Sequence, residues 1–158
     1  MAPLRVSGLE RIEMNRTEPS FEEVARQHFG FLIRENGFHC TAASEFKIRF
    51  ESKLVFIEIY HGQYDYEVGI NFGRRGRDEN FSFTLFLRRF FPVVDQALGE
   101  RLAETPKRIG DLTQAMGETL RTYGQRIIDG DDAFYTEMAQ VRWWHFKPEA
   151  VRNPKSSS

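Results

Sequence analysis

Cysteine is almost missing from this sequence, which has a single one, Cys40, among 158 residues. One cysteine excludes an internal disulfide and any zinc site built from several thiolates. The sequence also lacks an apolar run near the ~20 residues that a membrane-spanning helix needs. Its N-terminus has no basic segment followed by the long apolar stretch of a secretory signal. These absences predict a cytoplasmic protein that does not bind a membrane.

An excess of either charge is absent too, because 22 Lys and Arg residues are balanced by 23 Asp and Glu residues, for a net charge of −1. This balance provides no general attraction to nucleic acid or to an anionic membrane. The length is sufficient for one domain with a sizeable core. We expect a single globular domain over residues 17–146, a loose N-terminal segment at 1–16 and a disordered polar tail at 147–158.

Recognisable catalytic motifs are lacking as well: no phosphate-binding loop, dinucleotide-binding glycine motif, kinase signature or hydrolase signature occurs. His39 and Cys40 are adjacent, so on a strand they would point to opposite faces and could not act as base and nucleophile. The histidines have no metal-ligand spacing; they are His28, His39, His61 and His145. The sequence therefore predicts a protein that is not an enzyme and that binds neither a metal nor a cofactor.

Phenylalanine is abundant, with 15 residues, most of them between Phe21 and Phe91. The first of them open the stretch SFEEVARQHFGFLIRENG, which has the pattern of a helix with defined ends. Ser20 and Glu23 have the spacing of a capping box, apolar residues follow at helical intervals, and Gly37 provides a left-handed stop. This stretch predicts an N-terminal helix.

Residues 38–91 change to a period of two, which predicts strands. The alternating segments are 45–51, 54–61, 64–72 and 81–90. With hairpin turns at Ser52-Lys53 and Gly62-Gln63, and Phe72 paired with Phe81, one face becomes entirely apolar or aromatic. A slip of one residue would destroy that face. We therefore predict an α+β fold with the N-terminal helix, a four-stranded antiparallel meander in the order 1-2-3-4, and C-terminal helices packed on one sheet face.

Helical patterns return after the sheet, in a short segment at 92–104 and in GDLTQAMGETLRTYGQRIIDG, which Gly130 should end. Asp131 is the expected N-cap of a last helix, DDAFYTEMAQVRWWHF. Trp143 and Trp144 would point about 100° apart on it. Docking of this helix on the sheet is the favoured interpretation of the two tryptophans, ahead of an interface with a partner.

The second sheet face is polar, and the predicted register places Glu58 directly opposite Glu67. Two opposed carboxylates could share a proton and serve in acid-base catalysis. A row of ion pairs is the simpler interpretation, because Lys47 is expected beside Glu58. Phe56 is expected to cover Gly69 on this face.

Aromatic side chains among these charges indicate a surface for binding a partner protein. The candidate residues are Phe56, Glu58, Tyr60 and Glu67, with Arg74, Arg75 and Arg77 at the rim.

Two other uses of the sheet stay open. An aromatic face beside the basic loop GRRGRDEN could bind single-stranded nucleic acid. Nucleic acid is the less favoured partner, because acidic residues on the same face would repel phosphates; they are Glu45, Glu51, Glu58, Asp65 and Glu67. A homodimer could instead form through an edge strand, at 45–51 or 81–88.

The stretches FESKLVFIEIYHGQYDYEVGINFG and YGQRIIDGDDAFYTEM resemble those of small uncharacterised bacterial α+β proteins that are similar to immunity proteins of toxin systems. The resemblance covers roughly residues 20–146 and includes a helix break at 127–131. It implies a non-enzymatic protein that binds and blocks a cognate toxin, and it assigns no individual functional residue. A protein-binding module of this immunity-like kind is the leading expectation.

Overall fold

The computed structural model describes residues 19–62, 67–103 and 105–142. The predicted loose segment at 1–16, the tail at 147–158 and the tryptophans at 143 and 144 lie outside these residues. Within them, no helix is both long enough and apolar enough to cross a membrane.

The N-terminal helix forms with the predicted ends. It divides into α1 (Phe21–Phe29) and α2 (Phe31–Asn36) at Gly30. The capping box is present, since the Ser20 hydroxyl accepts from the Glu23 amide at 3.1 Å and the Glu23 carboxylate accepts from the Ser20 amide at 2.9 Å. Gly37 ends α2 in the left-handed region, with φ 75°. Both end signals are local in sequence, and both predictions are confirmed.

The sheet is an antiparallel meander of five strands in the order β1-β2-β3-β4-β5, rather than the four predicted. The strands are β1 (His39–Ala43), β2 (Lys47–Glu51), β3 (Val55–His61), β4 (Val68–Arg74) and β5 (Phe81–Ser82). Strand β1 was not predicted, because an exposed edge strand of small residues has no apolar alternation. The class, α+β with an antiparallel sheet, is confirmed.

The predicted fourth strand at 81–90 is wrong beyond its first two residues. Ser82 caps a helix by accepting a hydrogen bond from the Leu85 amide at 3.3 Å, and α3 (Phe83–Phe90) follows. The sequence FTLFLRRF satisfies both periods, because apolar residues at 83, 85 and 87 alternate while those at 83, 86, 87 and 90 have helical spacing. The cap therefore selects a helix where the alternation alone indicated a strand.

The predicted register is wrong in both hairpins, although the assignment of residues to faces is right. Phe50 pairs with Ile57 instead of Val55, a shift of two residues, and Glu58 pairs with Asn71 instead of Glu67, a shift of four. An even shift keeps every side chain on its face. The expected pairing of Phe72 with Phe81 is present.

The remaining helices are α4 (Pro92–Leu98), α5 (Pro106–Tyr123), α6 (Gln125–Asp129) and α7 (Asp132–Met138). Asp131 caps α7 as predicted, and Gly130 precedes it with φ 70°. The apolar sheet face is buried against helices, with α1 packed on α5 and the α7 ring of Tyr135 against Phe72. The Tyr135 hydroxyl donates to the Ile127 carbonyl at 3.0 Å, and burial raises the pKa of this phenol.

Candidate binding groove on the outer sheet face

The polar face of strands β2 to β4, here called the outer face, contains the predicted site. Its residues are Lys47, Arg49, Glu51, Phe56, Glu58, Tyr60, Gly69, Asn71 and Gly73. The predicted opposition of Glu58 and Glu67 is wrong, because His61 pairs with Val68 and the Gly62 amide donates to the Glu67 carbonyl, whereas the predicted two-residue turn would pair His61 with Tyr64. Glu58 faces Arg49 and Asn71, and Glu67 forms an isolated bridge with Leu102. These two glutamates therefore do not form a dyad.

Five charged side chains of alternating sign form an ion-pair chain across the outer face. Glu58 forms an ion pair with the Lys47 ammonium at 3.9 Å, as predicted, and another with the Arg49 guanidinium at 3.5 Å. Arg49 continues to Glu51 at 2.7 Å, and Arg75 reaches the other oxygen of Glu51 at 3.4 Å. The hydrogen bond from Arg49, together with the charge of Arg75, lowers the pKa of Glu51. Both carboxylates of the ion-pair chain, Glu51 and Glu58, are thus paired with cations.

The lowered pKa of Glu51 should make the free energy of unfolding depend on pH. A carboxyl whose pKa is lower in the folded state contributes stability above its ordinary pKa, about 4.3, and loses it as the pH falls through the folded value. We expect Glu51→Gln to destabilise the protein at neutral pH and to have a smaller effect below about pH 4. Urea unfolding midpoints across this range measure the difference. Glu118→Gln, at an exposed position of α5, is the control; equal pH profiles for both variants would contradict the prediction.

The two aromatic side chains of the outer face each cover a glycine, but not in the predicted pairing. Phe56 lies over Gly73, where an added Cβ would come within 2.8 Å of its ring, and Tyr60 lies over Gly69, where a Cβ would come within 2.5 Å of the hydroxyl oxygen. The Arg49 guanidinium stacks on the Phe56 ring at 4.0 Å, and Phe56 is only 7% exposed. Tyr60 is partly exposed. Tyr60 is thus the accessible aromatic of this pair, and Phe56 supports the surface from below.

The three arginines predicted at the rim have different surroundings. Arg74 points to the opposite face, where it binds Glu79 at 3.0 Å and Asp132 at 3.1 Å and is 11% exposed. Arg75 belongs to the ion-pair chain and also donates to the Ser52 carbonyl at 2.8 Å. Arg77 is exposed. The structure therefore separates Arg74 from the other predicted site residues.

A groove with a volume of about 960 Å³ lies beside strand β4 and was not predicted. Its polar wall is formed by Tyr60, Asn71, Asn80, Ser82 and Thr84, its cations are Arg88, Arg101 and Arg142, and its apolar side chains include Leu85, Leu102 and Val141. Glu67 also lines it, whereas Glu58 lines a smaller cavity of about 360 Å³. Tyr60 and Asn71 line both cavities, so the two cavities are neighbours on the outer face.

The groove exists because strand β5 is short. After Ser82 the chain turns into α3, and among the described residues its backbone next bonds to β4 at residue 101, where the Val68 amide donates to the Arg101 carbonyl at 2.9 Å. Arg101 is anchored there by Asp95 at 2.5 Å, and Asp95 also binds Arg88 at 3.3 Å. No period in the sequence could indicate this gap, since it depends on where a short strand becomes a helix.

The described part of the chain contains no cluster of three or more His, Cys, Asp or Glu residues able to hold an ion. Comparison with known proteins found no matching family model, no similar curated protein and no similar solved structure.

Proposed function

We propose that this protein is a binding module that captures another protein on its outer face, in the manner of an immunity protein that neutralises a toxin. The observation that carries the proposal is the pair of neighbouring cavities that share Tyr60 and Asn71. This surface combines a partly exposed aromatic ring with apolar and polar side chains, and protein interfaces contain all three kinds. Tyrosine and arginine are enriched among the residues that dominate binding energy.

The ion-pair chain supports binding rather than acid-base chemistry. Arg49 is held between Glu51 and Glu58 while it covers Phe56, so these four side chains are ordered before any partner binds. Side chains that are already ordered lose less conformational entropy on association, which favours affinity. The charges would also orient a partner and accelerate its approach.

Single-stranded nucleic acid is the alternative ligand. It would need the arginines at the end of β4 and in the loop after it, but Arg74 is bound to Glu79 and Asp132, and Arg75 is bound to Glu51. Nucleic-acid binding would weaken steeply with salt, because phosphate contacts release counterions. A titration of a single-stranded oligonucleotide at two salt concentrations, repeated with Arg77→Glu, distinguishes this function from protein binding.

Tyr60 provides the direct test of the proposed surface. Affinity capture from cells that produce the protein, followed by quantitative mass spectrometry, should identify a partner whose recovery falls about tenfold or more with Tyr60→Ala. Tyr123→Ala is the matched control, since Tyr123 is 37% exposed and is not among the residues lining the groove. Thr84→Arg introduces a large side chain at a second residue that lines the groove, without removing the ring over Gly69.

Two results would contradict the proposal. If Tyr60→Ala and Thr84→Arg both recover the partner as well as the original protein and the Tyr123→Ala control do, binding does not use this surface. If the captured protein does not inhibit growth when expressed alone, or if coexpression of this protein does not relieve the inhibition, the toxin-neutralising function is wrong. Circular dichroism of each variant establishes that it is folded.

A further inference from the structure

Arg101, which lines the groove, has hydrogen-bonding capacity that the described part of the chain does not use. Its Nη2 donates to the Asp95 carboxylate at 2.5 Å, and its Nη1 donates to the Gly99 carbonyl at 2.6 Å and to the Asp95 carbonyl at 3.4 Å. Its Nε is buried and has no hydrogen-bond partner. A guanidinium has five N–H donors, and a buried donor that lacks an acceptor is costly. Arg101 would therefore gain from one further acceptor.

The guanidinium of Arg101 is held in place before any ligand binds. The Arg101 side chain is 9% exposed, Asp95 binds it from α4, and the Arg101 carbonyl accepts from the Val68 amide at 2.9 Å. An ordered side chain loses little conformational entropy on binding. Carboxylates are well matched acceptors, because their two oxygens fit the N–H groups of a guanidinium. Since the Nε is covered, the guanidinium must turn slightly towards the groove before a ligand oxygen can reach it.

Leu102 offers apolar surface next to this cation in the chain. It is a large apolar side chain at the groove wall, yet it is 51% exposed. Its backbone is held by the bridge to Glu67. A ligand with an apolar part lying on Leu102 would remove apolar surface from water on both sides of the contact. The groove volume of about 960 Å³ is within the range of pockets that bind small organic molecules.

The charges around the groove favour a ligand with one negative charge over a ligand with several. Three arginines line the groove together with Glu67 and Glu100, and Asp95 pairs with two of those arginines. These six side chains have no net charge, so they provide no general attraction for a polyanion. A single carboxylate needs only the local donors of one guanidinium.

We propose that the groove binds a small organic acid, with its carboxylate on Arg101 and its apolar part on Leu102. A carboxylate oxygen accepts from the Nε–H of Arg101 and so satisfies the donor that has no partner in the unliganded protein. The inference goes beyond the proposed function, because it needs no partner protein.

Two acids, 4-phenylbutyrate and hexanoate, serve as an aromatic and an aliphatic probe. Their neutral amides, 4-phenylbutanamide and hexanamide, have nearly the same shape but no charge. Isothermal titration calorimetry with the full-length protein should give a dissociation constant of about 1 mM or below for at least one acid. The corresponding amide should bind about tenfold more weakly, because it cannot form the charge-assisted hydrogen bonds.

Two substitutions with matched controls locate the acid in the groove. Arg101→Lys keeps the positive charge but removes the Nε–H donor, and it should weaken binding about tenfold. Its control is Arg89→Lys, at a position that is 48% exposed and does not line the groove. Leu102→Asp removes the apolar contact, adds a repelling charge and should weaken binding by a similar factor. Its control is Val93→Asp, since Val93 is 76% exposed and does not line the groove.

Three results would each overturn the proposal. They are that neither acid binds, that an acid binds no more tightly than its amide, or that a folded groove variant binds an acid as tightly as its control does. Circular dichroism establishes folding, and Leu102→Asp decides alone if Arg101→Lys does not fold. All these measurements use the protein without a partner, so this inference and the proposed function can fail separately.

Discussion

Replacing Phe72 with alanine is expected to destabilise the folded protein by about 3–5 kcal/mol. Phe72 is fully buried in the middle of strand β4, and its ring contacts four other aromatic rings. The centroid distances are 5.7 Å to Phe81, 5.9 Å to Tyr135, 6.3 Å to Phe86 and 6.3 Å to Phe134. Truncation would remove the transfer free energy of the ring and leave a cavity that these neighbours fill only in part.

Chemical denaturation at neutral pH measures this loss as a change in the unfolding midpoint. Phe46→Ala is the control, because Phe46 is only partly buried and packs mainly against His61, at a centroid distance of 5.1 Å. Its loss should be clearly smaller. If the two substitutions destabilise the protein equally, Phe72 does not have the central place in the core that its contacts indicate.

Replacing Glu79 with glutamine is expected to destabilise the protein by about 3 kcal/mol, at the lower end of the range for breaking a buried ion pair. Glu79 and Arg74 are each 11% exposed, and Arg74 also stacks at 5.2 Å from the Tyr135 ring. The substitution removes the main counter-charge of a cation that has little access to water. Asp132 remains within 3.1 Å of Arg74, which limits the loss.

A double-mutant cycle with Arg74→Met separates the pair interaction from the packing of each side chain. The surface pair of Arg89 and Glu137, at 3.1 Å with about half of each side chain exposed, is the comparison and should contribute less than about 1 kcal/mol. A coupling free energy for Arg74 and Glu79 no larger than that of the surface pair would contradict the interpretation.

The contribution of the Arg74–Glu79 ion pair to stability should decrease as the pH falls. Burial opposes ionisation of Glu79, but the hydrogen bonds from the Arg74 side chain and amide outweigh it, and the pKa of Glu79 is lowered. Its contribution is therefore present above the ordinary glutamate pKa of about 4.3 and is lost as the pH falls through the folded value. The destabilisation by Glu79→Gln should accordingly shrink in acid.

Arg74 also illustrates why a basic loop in a sequence is a poor guide to a binding site. Residues 74, 75 and 77 are close together in the chain, but the period of two in β4 directs Arg74 to the inner face and to Asp132, which is 58 residues away. Only the packing of α7 against the sheet brings that carboxylate within reach. Of the three arginines predicted at the rim of the site, only Arg75 and Arg77 stay in that role.

The sequence by itself determined the features whose causes are local. The capping box of Ser20 and Glu23, the helix ends at Gly37 and Gly130 and the cap at Asp131 each depend on residues within a few positions. The division of the strands into an apolar and a polar face was also determined, because alternation is a property of the chain alone.

Only the tertiary structure decided which residues face each other and where the groove lies. Apolar alternation is unchanged by an even shift in register, so it could not distinguish Asn71 from Glu67 as the neighbour of Glu58. The run FTLFLRRF satisfied both a strand and a helix period, and the cap at Ser82 together with packing of the Phe86 ring on Phe72 favours the helix. That early turn into a helix opens the space between β4 and residues 101 and 102, which is the groove.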